Sequence, residues 1–180
     1  MPSVFRHDLH MKSAFEIPFA GLKVGTHEYE FDVNDSFFSS LPYSLVEKGL
    51  VKVWLDLEKK ETMMIAHFEC FGHMEQICSR CNEIVLVEVD AELDVIYKFG
   101  SLEEETNDDN LIMVSYDTYE LDVSHQLYEM ISLATPARPV HEEGECNEEM
   151  VELIAKYQVK ETNKKDDDVD PRWSALKGLN

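Results

Sequence analysis

The sequence predicts an α+β protein: a mainly antiparallel β-sheet or partly closed barrel, one or two helices packed on it, and an acidic C-terminal extension. Three observations carry this prediction. Long stretches alternate apolar and polar residues with period two, and no helical pattern of about 10–15 residues separates them. A clear helical pattern comes only after the strands, and a charged segment without periodicity follows it near the C-terminus.

The elements follow in order. "AFEIPFAGL" and "THEYEFDV" read as strands flanking the Gly21–Gly25 turn region. In "GLVKVWLDLEKK", Val51, Val53, Leu55 and Leu57 share one face, with Lys52 and Asp56 on the other. Between Thr62 and Ile77, the stripe is Met64, Ala66, Phe68, Cys70 and Met74, with His67, Glu69 and His73 on the wet side. In "EIVLVEVDAELDVIYKF", Val85, Val87, Val89, Ala91, Leu93 and Val95 face one way, while Glu88, Asp90, Glu92 and Asp94 face water. "DVSHQLYEMISLAT" then places Val123, Leu127, Met130, Ile131 and Ala134 on one helical face, capped by Asp122 or Ser124 and stopped by Pro136. A second helix is expected from about Glu148 to Tyr157. "SLEEETNDDN" reads as a solvated loop. The division that results is a single domain over 1–159, then an acidic linker and short C-terminal segment over 160–180. From Pro171, Trp173, Leu176 and Leu179 recur at helical spacing. That segment either docks on its own domain or anchors a partner through Trp173.

Charge narrows the function. With 16 Lys and Arg against 37 Asp and Glu, the formal net charge is −21. Nucleic-acid binding draws much of its affinity from cations that displace phosphate counterions, and no basic cluster opposes this field. The same field attracts basic proteins and speeds their encounter. No apolar run spans a bilayer and the first residues lack a signal-peptide core, so a cytoplasmic protein without membrane contact is expected. Nucleophile elbow, phosphate loop, dinucleotide fingerprint and H-E-x-x-H zinc motif are all absent from the sequence, which argues against an enzyme.

Four cysteines remain to be placed. Cys70 lies on an apolar strand face and reads as a buried, inert thiol. Cys78 and Cys81 lie between two strand patterns, at the expected tip of a hairpin. A redox dithiol usually has a helix N-terminus behind it, and here a strand pattern follows instead. Two thiols on one tight turn can fill two corners of a zinc tetrahedron. "PVHEEGEC" offers His141 and Cys146, so the candidate set is Cys78, Cys81, His141 and Cys146 around a structural zinc ion. The competing interpretation is a pair of free thiols with His141 and Cys146 merely near each other in sequence. His125, on the helix, reads as a surface residue, and Glu142, Glu143 and Glu145 as a solvated acidic run.

Three segments, in order, resemble the YceD family of large ribosomal RNA subunit accumulation proteins. These are the Cys78-Ser79-Arg80-Cys81 knuckle entering a valine-rich strand, the block "LDVSHQLYEMISLATPARPVHEEGEC", and the ending "DPRWSALKGLN". The chain departs from the family at Thr135, where leucine is commoner, and at His141, where many members carry cysteine. Histidine can replace cysteine as a zinc ligand but not as a disulfide partner, which favours the metal. The resemblance implies a non-enzymatic factor needed for accumulation of large-subunit rRNA, often encoded beside a small large-subunit ribosomal protein. Joined to the charge, it leads us to expect a basic ribosomal protein or a large-subunit assembly intermediate as partner. Direct rRNA binding is the first alternative, and a C-x-x-C redox or metal-dependent enzyme the second.

Overall fold

The alternating segments form a sheet because period-two patterning gives each strand one face to bury and one to solvate. The computed structural model describes residues 14–100 and 110–158. Its main sheet has five strands in the order β2-β3-β4-β5-β6 and does not close into a barrel. These are β2 (Gly25–Val33), β3 (Gly49–Lys59), β4 (Met63–Ile77), β5 (Ile84–Phe99) and β6 (Leu111–Val114). β2 to β5 pair antiparallel in chain order, with a helix between β2 and β3 and hairpin turns thereafter, and β6 pairs parallel with β5 from Ile96↔Leu111 to Phe99↔Val114. Two short strands, β1 (Glu16–Ile17) and β7 (Leu121–Asp122), pair apart from it.

Among the described residues, helices cover one face only. α1 (Asp35–Ser40) is opened by Asn34, whose side chain accepts the Ser36 N–H at 3.0 Å, and it buries Phe37 and Phe38. α2 (Ser124–Ala134) buries Leu127, Met130 and Ile131. The expected carboxylate is used, one step early: Asp122 Oδ1 accepts the Ser124 N–H at 2.9 Å, while Val123 holds the N-cap position without a side-chain bond. At the other end Thr135 donates its hydroxyl to the Ile131 carbonyl at 2.9 Å before Pro136 stops the helix. α3 (Glu148–Tyr157) matches the expected second helix but buries no residue.

Several features differ from the pattern read in sequence. "AFEIPFAGL" is strand for only two residues before a 3-10 turn over Phe19–Gly21, because Pro18 has no N–H to continue a ladder. α1 is too short for helical periodicity to register. The loop at 101–109, the linker and the terminal segment from Pro171 lie outside the described residues.

The two sheet faces are opposite in character. Inward, Val33, Val53, Leu57, Met64, Phe68 and Val89 join α1, α2 and the β1 region in one apolar core. Outward, cross-strand register builds rows: Glu28-Asp56-His67-Asp94, Glu30-Trp54-Glu69-Glu92 and Asp32-Lys52-Phe71-Asp90. Among the described residues no element packs on this outer face; Trp54 is 39% and Phe71 56% exposed.

Candidate metal centre

The β4–β5 hairpin ends in a knuckle at Cys78–Cys81. Its last ladder pair is Ile77↔Ile84, and the turn closes with Cys78 N–H donating to the Glu83 carbonyl at 2.8 Å. Asn82 N–H returns to the Cys78 carbonyl at 2.9 Å, with Asn82 at φ 61°, a left-handed conformation that asparagine tolerates better than most residues. Both thiols consequently point to the same side.

The other two donors arrive from the segment after α2. Ser79 N–H donates to the Pro139 carbonyl at 2.8 Å, which lays the 139–146 loop against the knuckle. Gly144 at φ 92° turns the chain so that Cys146 reaches back. The four sequence candidates thus converge: Sγ of Cys78, Cys81 and Cys146 and a ring nitrogen of His141 lie within 4.8 Å of one another.

The donor set, and three of its donor–donor spacings, are close to those of a tetrahedral ion. Zinc–sulfur and zinc–nitrogen bonds of ~2.3 and ~2.0 Å imply tetrahedral edges of roughly 3.5–3.8 Å. Here Cys78 Sγ to Cys146 Sγ is 3.9 Å, Cys81 Sγ to His141 Nδ1 is 3.3 Å and Cys146 Sγ to His141 Nδ1 is 3.9 Å. His141 Nε2 lies 3.0 Å from the Ile84 carbonyl. Donating a proton there leaves the Nδ1 lone pair facing the thiols, the arrangement that orients a metal-binding imidazole. Arg80 supplies two donors to sulfur: its N–H to Cys78 Sγ at 3.4 Å and its guanidinium to Cys146 Sγ at 3.6 Å.

The protonation of the cluster agrees with this. Burial alone would push the Cys78 thiol up, but hydrogen bonds from Cys81, His141 and Arg80 hold it at about 5. Cys146 is raised, by burial first and then by hydrogen bonds with Cys78 and Cys81; His141 is raised by its hydrogen bond to Cys78. The lowered Cys78 thiol gives the cluster thiolate character, the form in which a cysteine binds a metal. A lowered thiol suits redox chemistry as well as metal binding. Burial separates the two: Cys78 is 1% and Cys81 2% exposed, and a redox thiolate must meet its partner.

Two supporting residues were not legible in the sequence. Asn147 Oδ1 accepts the Met150 N–H at 3.2 Å and caps α3, while its Nδ2 donates to Glu83 at 2.7 Å, tying the helix start to the knuckle. Asparagine before Glu-Glu was the available signal for the cap. Its bond to Glu83 needed the fold. Cys70 is buried in the main core, with its thiol raised by desolvation. His67, His73 and His125 all lie away from the cluster; His67 bonds Asp94, and His125 meets the Tyr43 ring edge-on.

An open sheet with helices on one face and a Cys3His cluster at its hairpin tip defines a small α+β protein with four candidate metal donors gathered at one end. A family model described as "Large ribosomal RNA subunit accumulation protein YceD" matches residues 66–180. The chain belongs to that family, which is named for a role in accumulation of large-subunit ribosomal RNA. No curated protein and no solved structure matches the chain. Among the described residues, no helix is long and apolar enough to cross a membrane.

Proposed function

We propose that this protein is a non-enzymatic accessory factor of large-subunit ribosome assembly that works in the cytoplasm by holding a basic ribosomal protein. The single observation that carries the reading is the distribution of charge. A net charge of −21 is joined to an outer sheet face whose three central rows carry Glu28, Glu30, Asp32 and Asp56 on one half and Glu69, Asp90, Glu92 and Asp94 on the other. Such a field concentrates cationic polypeptides and repels polyphosphate. Holding a basic client until it reaches the rRNA would support rRNA accumulation without contact between this chain and the RNA. Residues 1–159 would act as one domain and 160–180 as an acidic linker with a short terminal segment.

In the same reading, a structural zinc ion sits on Cys78, Cys81, His141 and Cys146. Zinc would neutralise the thiolates and fasten the 139–146 loop to the hairpin tip. With four protein donors in place it would serve architecture, since a catalytic zinc keeps a position open for substrate.

The test is a binding panel. The purified chain is offered individually purified large-subunit ribosomal proteins and, separately, bare large-subunit rRNA, over a salt titration. Capture of one or more basic proteins that weakens steadily with salt is the expected result. Tight binding of bare rRNA with no capture of any basic protein would overturn the proposal.

A further inference from the structure

The outer sheet face breaks a rule of sheet stability. Its register sets Glu69 directly opposite Glu92 and Glu28 directly opposite Asp56. Like charges opposed across a ladder weaken the pairing, and solubility alone is served as well by alternating signs. Local rules are most often broken where a surface works on something else. In the middle of this field lie two large rings, Trp54 and Phe71, both substantially exposed. An acidic surface kept only for solvation has no use for them.

The face already shows what it does with a cation. The Lys52 ammonium lies 2.9 Å from a Glu30 carboxylate oxygen and 5.8 Å from the centre of the Trp54 ring. A cation between a carboxylate and an aromatic face gains from both. Phe71 stands in the same row as Lys52, with Asp90 beyond it on β5, and offers the corresponding position.

We propose that this face is the docking surface for the basic client, and that the client lies on it as an extended segment with Lys or Arg at alternate positions. The inference rests on the basic-protein reading above and adds the place and form of contact. The form follows from spacing. Glu88, Asp90, Glu92 and Asp94 project at every second residue of β5, a repeat of about 6.8 Å. An extended segment lying along β5 has the same repeat, so its alternate cations meet successive carboxylates, with Phe71 beside it on β4 and Trp54 one strand further on β3. A strand of phosphates on the same path would meet repulsion at each row.

The experiment uses the full chain and defined probes: a fluorescent peptide of about twelve residues with Lys or Arg at every second position, and a single-stranded RNA of matched length. Affinity is read at ~100 mM salt for three proteins: the natural chain, a face variant (Glu69→Gln, Asp90→Asn, Glu92→Gln), and a control variant losing the same charge elsewhere (Asp117→Asn, Glu120→Gln, Glu129→Gln). The face variant is expected to lose roughly tenfold or more and the control no more than about twofold. In a Trp173→Phe background, saturating peptide is expected to change Trp54 emission, a readout that leaves the face unaltered. Equal losses from both variants, or an unmoved Trp54 signal, would overturn the face assignment and leave the basic-client reading standing. No peptide binding by the natural chain, or tighter binding of the RNA, would overturn both.

Discussion

Two buried clusters stand among the described residues, and they differ in chemistry. The main core among the described residues gathers 25 buried side chains from the sheet, α1, α2 and the β1 region, nearly all aliphatic or aromatic. The cluster at the hairpin tip has four, and three of them are cysteines: Cys78, Cys81 and Cys146, with Val85. Burying a large apolar side chain contributes about 1.5–3 kcal/mol, so the first cluster can oppose the chain entropy of the sheet by hydrophobic burial. The second cannot. Val85 with the flanks of Val87 and Met150 is too little apolar area to order the 139–146 loop and α3, which has no buried residue and only Met150 partly covered. The zinc proposed above, held by four converging donors, would supply the bond that an apolar core does not.

The largest effect that would test this contrast lies in the first cluster. Phe37→Ala is expected to cost about 3–5 kcal/mol, read as a lower urea midpoint of the whole chain, because a fully buried ring leaves a cavity between α1 and the sheet. Zinc removal by a chelator, or Cys146→Ser, should act locally. Amide exchange over 78–85 and 139–157 is expected to speed up by about a hundredfold, while β3 and the first half of β4 keep their protection. Loss of one bound zinc per chain should accompany it, whereas Cys70→Ser should leave the metal content unchanged and cost about 1–3 kcal/mol by burying a hydroxyl. Unchanged exchange around α3 after metal removal would show that the second region does not need the ion.

The smallest effect concerns the outer face. The hydrogen bond to Asp94, opposed by partial burial and supported by a weaker one to Glu69, raises the His67 pKa above its ordinary value. A raised folded pKa means that this contribution is fully present below about 6.5, the unfolded value, and is lost as pH rises through the higher folded value. An NMR titration of His67 should find that higher value, and Asp94→Asn should lower it. A His67 pKa at or below that of a free histidine would show that the carboxylate row is not felt at this position.

Much of the fold was legible because strand patterning is local. The inward stripe of β3, the first half of β4 and the alternation of β5 read directly from residues two apart, and the α2 face from residues three and four apart. Legibility fell where elements are short or their partners distant. α1 has only six residues, so its buried Phe37 and Phe38 show no period. β6 pairs parallel with β5 through residues separated by a long connection, and no spacing rule announces such a pair. At the site, the C-x-x-C spacing marked the hairpin tip, but nothing local joined Glu83 to Asn147 or Ile84 to His141.

By itself, then, the sequence determined the long strands and the α2 and α3 helices, which side of each strand would be wet, where the thiol pair would sit, and the sign of the molecule's field. These depend on neighbours within a turn or a few residues. Tertiary structure alone decided that His141 presents Nδ1 to three sulfurs, and that Glu69 stands opposite Glu92 beside an exposed indole. Both are consequences of register and loop closure. A shift of one residue in a strand pairing would leave the local pattern unchanged, yet disperse the metal donors and the acidic rows together.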